Sequence, residues 1–88
     1  IHLDVFLDYN RDPDYLREIL LHKLSIQANE LLKGSGLSKF EIVRRMKTSQ
    51  SQLSRLLDTA NYKKSVDEML RLLAVLECDV EIVFKKSA

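Results

Sequence analysis

At 88 residues, with 45% hydrophobic and 31% charged side chains, the chain reads as one globular domain with a small core and no room for a second. Two glycines and one proline leave little sequence for long loops, so helices should dominate, and the lone Cys78 excludes an internal disulfide. A net charge of +1 does not by itself suggest nucleic acid, and with no apolar run long enough to span a bilayer and no secretory signal pattern, a cytoplasmic protein without membrane partners is expected.

Residues 1–9, IHLDVFLDY, fit two patterns: Ile1, Leu3 and Val5 alternate as in a strand, while Leu3, Phe6 and Leu7 share a helical face. A short helix is the reading adopted, with a strand as the alternative. Asp12 before Pro13 spells an N-cap followed by proline at the first helical position, and the pattern runs unbroken to Lys33 before Gly34 and Gly36 stop it. Leu16, Leu20, Leu24, Ala28, Leu31 and Leu32 form one broad apolar face. Tyr15, Ile19 and Ile26 make a second stripe that needs cover, from the N-terminal segment or from another molecule. Glu18, His22, Ser25 and Asn29 make the polar side, read as solvated, and neither His22 nor His2 is assigned a ligand or catalytic role.

From Leu37 to Asp58, LSKFEIVRRMKTSQSQLSRLLD, two helix starts are written close together. Ser38 with Glu41 and Ser49 with Gln52 both have capping-box spacing. Ile42, Val43 and Met46 supply the apolar side of the first helix, and Leu53, Leu56 and Leu57 that of the second. The spacing predicts a helix-turn-helix over 37–58, a motif whose second helix can enter the DNA major groove. Residues 59–64 read as a polar loop, and Ser65 with Glu68 is a third capping box opening a helix that is apolar almost all round. Such a helix in so small a domain predicts cover on more than one side and hints at an oligomer interface. Residues 79–85 then switch to strand periodicity with β-branched enrichment. A solitary strand would leave an unpaired edge, so two copies are expected to share an antiparallel ribbon, with Leu72, Val75, Val80, Ile82 and Phe84 as dimer-interface candidates.

Charge is unevenly placed. Residues 37–64 carry Lys39, Arg44, Arg45, Lys47, Arg55, Lys63 and Lys64 against Glu41 and Asp58, a net of +5, while the segments 1–36 and 65–88 are each −2. A cationic patch on the segment that would read DNA is the footprint expected of a phosphate-binding face.

The string from Leu37 to Asp58 resembles the helix-turn-helix of lambda-repressor-like (XRE) transcription regulators in its polar first-helix cap, Ile42 and Met46, the T-S-Q-S turn, and the L-S-R-L run from Leu53 to Leu56. It departs from that pattern at Val43, where alanine is usual, and at Lys47, where glycine is common; keeping the usual turn requires a left-handed Lys47, at about 1 kcal/mol. From about Tyr15 onward the layout, including K-G-S-G-L-S-K and the terminal D-V-E-I-V-F, is similar to short XRE antitoxins of the HigA-like kind. The resemblance implies an all-α bundle of four to five helices with a C-terminal strand, a homodimer bound to its own double-stranded operator DNA, and, by analogy with some members, a cognate toxin as partner.

Within the second motif helix, Leu53 and Leu56 should face the core, which leaves Gln50, Ser51, Ser54 and Arg55 as base-contact candidates, since glutamine suits adenine, arginine guanine, and serine several base edges. Ser38, Lys39, Thr48, Ser49, Gln52, Asn61, Lys63 and Lys64 are candidates for phosphate contacts. An enzyme is not expected: the sequence has no glycine-rich phosphate loop, no metal-spaced Cys or His cluster and no nucleophile beside a base, and no cofactor is implied. The competing expectation is a protein-interaction module that binds a partner through its C-terminal helix and strand without DNA.

Overall fold

The computed structural model describes residues 2–5 and 12–84, and is mostly helical. In chain order the elements are β1 (His2–Val5), α1 (Pro13–Gly34), α2 (Lys39–Met46), α3 (Gln50–Leu57), α4 (Val66–Val75) and β2 (Glu81–Phe84). Asp12 caps α1 as its spacing predicts, its carboxylate accepting from the Asp14 amide at 3.0 Å, with Pro13 in the first turn.

The core gathers Leu21, Leu24 and Ala28 of α1, Ile42 of α2, Leu53, Leu56 and Leu57 of α3, and Met69, Leu72 and Leu73 of α4, closed below by Leu76. The buried side of α1 is turned toward Ser25 relative to the predicted face: Leu21 and Ser25 are fully buried, whereas Leu16 is only half-buried. Most of the apolar surplus of α4 is absorbed within the chain, because α1 and α2 both pack on it, although Leu70 stays 36% exposed. Leu72, a dimer-interface candidate, is therefore corrected to a core residue with no exposed surface, and Val75 is half-buried against the same core.

The C-terminal strand also has a partner in its own chain. β1 pairs with β2 in parallel, with His2 opposite Glu81 and Val5 opposite Phe84. This overturns the solitary tail strand, and it replaces the short helix expected at the N-terminus by a strand over 2–5; residues 1, 6–9 and 85 of those two expectations lie outside the described residues. The ribbon pairs mainly with itself, and its outward-facing Ile82 and Phe84 are 45% and 78% exposed.

Candidate nucleic-acid interface

Helices α2 and α3 are joined by only three residues, Lys47 to Ser49. Lys47 adopts φ 56°, ψ 49°, its amide donates to Arg44 O at 3.2 Å, and the Thr48 amide donates to Val43 O at 3.1 Å. These are the two bonds of a Schellman ending, with a lysine where glycine is usual. The reversal releases the chain into the extended Ser49, whose hydroxyl accepts from the Gln52 amide at 3.2 Å and starts α3.

The same logic starts α2: Ser38 Oγ accepts from the Glu41 amide at 3.1 Å. Neither of these two capping boxes closes. Glu41 turns to Arg44, at 2.9 and 3.0 Å, and to Arg45, at 3.6 Å, because cations three and four residues on compete better than a neutral amide. The Arg44 hydrogen bond, with the fields of Arg44 and Arg45, holds the Glu41 carboxyl below its usual range against the opposing effect of desolvation. Gln52 Oε1 likewise accepts from Arg55 Nε at 2.9 Å. Only Ser65 and Glu68 complete the reciprocal box, with both bonds at 3.0 Å.

With Leu53, Leu56 and Leu57 packed against the core, Gln50, Ser51, Gln52 and Ser54 are the exposed residues of α3. Lys39, Arg44, Arg45, Lys47 and Lys63 of the same stretch are also exposed, so the cationic character of this segment reaches the surface; of these, Arg44, Arg45 and Lys47 stand outside the predicted contact set, although the charge count already included them. Ser38 and Ser49 are exposed caps, and Thr48 is half-buried in the turn. Asn61 is used locally, its Oδ1 accepting from the Lys63 amide at 2.9 Å and its Nδ2 donating to Arg55 O at 3.3 Å.

Two expected contacts fall elsewhere. Lys64, a phosphate-contact candidate, is corrected to a buried residue with 3% exposure: its ammonium donates to Ser25 Oγ, to Leu56 O at 2.7 Å and to Asp58 O at 2.8 Å. Burial pushes its pKa below the usual lysine value, while the Asp58 charge pulls the other way. The cause is the end of α3, whose last carbonyls have no helical partner and attract a cation. Arg55, expected at a base edge, is held between α3 and α4: besides Gln52 it donates to Lys63 O at 2.6 Å and pairs with Glu68.

Helix α1 completes this clamp. Asn29 Nδ2 donates to Leu57 O at 2.9 Å, Arg17 Nη2 donates to both Tyr62 O and Lys64 O at 2.8 Å, and His22 Nδ1 lies 3.1 Å from Thr59 O. The stripe of Ser25 and Asn29, expected to be solvated, thus faces the α3–α4 loop. Local periodicity carries no signal for these residues, because their partners lie 28 to 47 positions away, backbone carbonyls for Arg17, His22 and Asn29 and the Lys64 ammonium for Ser25. No helix among the described residues is long and apolar enough to cross a membrane. Comparison with known protein families, curated proteins and solved structures finds no match for this chain.

Proposed function

We propose that this chain is a sequence-selective DNA-binding regulator of the lambda-repressor-like helix-turn-helix type, acting as a homodimer on double-stranded operator DNA. The observation that carries this reading is the tight α2–α3 reversal at left-handed Lys47, with Gln50, Ser51 and Ser54 exposed along α3 and Lys39, Arg44, Arg45, Lys47 and Lys63 exposed in the same stretch of chain. In this arrangement α3 enters the major groove, Gln50, Ser51 and Ser54 address base edges, and Lys39, Lys47 and Lys63 meet phosphates. Arg55 acts as a positioning residue for α3. A homodimer would set two such helices on successive major grooves, about 34 Å apart, and select an inverted repeat.

Selection from a randomised duplex library tests this directly. Enrichment of an inverted repeat, bound with a steep loss of affinity as salt rises, is the expected result. A protein that retards no duplex at low salt is not a DNA-binding regulator. The exposed Ile82 and Phe84 favour one competing reading, a module that captures a protein partner such as a toxin through its C-terminal strand. Under that reading the library returns no enriched sequence.

A further inference from the structure

Helix α1 carries apolar residues on two opposite sides. Leu21, Leu24 and Ala28 are buried on one side, while on the other the apolar Tyr15, Ile19 and Ile26, interrupted by the polar His22, recur at intervals of four, three and four residues. Tyr15 and Ile26 remain 47% and 41% exposed. This spacing is the seam of a two-stranded coiled coil, with Ile19 and Ile26 at a positions and Tyr15 and His22 at d. Beside the seam there is already a hole: Tyr15, Glu18, Ile19 and His22, with Lys23 and Tyr62, line a groove of about 240 Å³. Four residues spaced i, i+3, i+4 and i+7 are the set that receives one knob from a facing helix.

Charge selects the occupant and its direction. Glu18 takes the g position before Ile19, and Lys23 takes the next e position, five residues on. In a parallel pair, g of one helix meets the e of its partner five residues later, so a symmetric dimer places Glu18 against Lys23 on both flanks. An antiparallel pair would oppose Glu18 to Glu18 and Lys23 to Lys23. The seam ends at Asn29, whose amide is turned inward to Ser25 O and Leu57 O.

We propose that a second copy of this chain docks on the outer face of α1, the two α1 helices running parallel, with Ile19 of each entering the groove of the other. This self-association does not depend on DNA binding, and its test is read without DNA. Sedimentation equilibrium of the full chain over a concentration series should show monomer and dimer. Glu18→Lys and Lys23→Glu should each weaken the dimer about tenfold, the double exchange E18K/K23E should restore it, and Ile26→Lys should abolish it. Both charged positions are exposed, so helical circular dichroism should be unchanged in all three charge variants. A monomer at every concentration overturns the proposal, as does a dimer indifferent to the single charge reversals or to Ile26→Lys.

Discussion

Lys64 reaches back from the loop before α4 to hydrogen-bond Ser25 in the middle of α1, beneath the last turn of α3. The Ser25 hydroxyl donates to Leu21 O at 2.7 Å, and the remaining ammonium protons meet Leu56 O and Asp58 O, so the three ammonium donors face three acceptors. No buried side-chain nitrogen or oxygen among the described residues lacks a partner. A buried charge is tolerated only when it is matched in this way. The contact therefore ties α1, the end of α3 and the start of α4 into one unit and fixes how α3 is presented.

Replacing Lys64 by Met keeps the apolar stem and removes the ammonium, leaving Leu56 O, Asp58 O and Ser25 Oγ without their donor. A loss of ~3 kcal/mol in urea unfolding is expected. Ser25→Ala should lose ~1 kcal/mol, and the two changes should be strongly non-additive in a double-mutant cycle. Additive losses would mean that the two residues act separately.

Two helix ends place a non-glycine residue in the left-handed region, Lys47 at φ 56° and Glu77 at φ 58°. At Glu77 the bonds match those at Lys47, with the Cys78 amide donating to Leu73 O and the Glu77 amide to Ala74 O, both at 3.0 Å. Lys47→Gly and Glu77→Gly should each raise stability by about 0.5–1 kcal/mol, because relief of the Cβ clash exceeds the added entropy of the unfolded chain. A lower urea midpoint for either variant would contradict this account of its turn.

Glu68 accepts from the Ser65 amide and pairs with Arg55, and the Ser65 backbone hydrogen bond, with Arg55 behind it, holds its carboxyl below the ordinary value of 4.5 against desolvation. A carboxylate with a depressed folded-state pKa adds stability that is fully present above 4.5 and is lost as pH falls through the folded value. Glu68→Gln should therefore lower stability near pH 7, and the difference from wild type should shrink on acidification. Thermal melts from about pH 7 down to about pH 3 check this; a difference that stays constant would assign the effect to something other than charge.

On duplex DNA the residues of α3 should separate into classes. Gln50→Ala should change preference at one base pair with little effect on melting, whereas Lys39→Ala should weaken all sequences alike and flatten the salt dependence. Arg55→Ala should lower the melting temperature and reduce affinity for every sequence, because its guanidinium holds Lys63 O, Gln52 and Glu68. Melting that is unchanged by Arg55→Ala, together with a changed base preference, would return Arg55 to the base-reading set.

Local pattern alone was enough to define α1 to α4 and their starts, though not the N-terminal segment, where the expected helix is a strand over residues 2–5. Asp12, Ser38, Ser49 and Ser65 cap where their spacing says they should, since a cap is decided within three residues, and the left-handed Lys47 is the conformation that keeping the turn of the resembled motif requires. The exposure of Gln50, Ser51 and Ser54 was equally legible, because Leu53 and Leu56 orient so short a helix.

What only the tertiary structure decided is where long polar side chains end. Lys64 and Arg55 looked like surface cations, yet the bare carbonyls of α3 and the carboxylate of Glu68 draw them inward, and with them Ser25 is buried and Asn29 half-buried. β2 found β1 across nearly the whole chain, a pairing set by how the helices bring the two ends together. Caps, turns and periodicity are short-range and can be read in order; the satisfaction of a helix end or a strand edge depends on which distant donor the packed fold brings within reach.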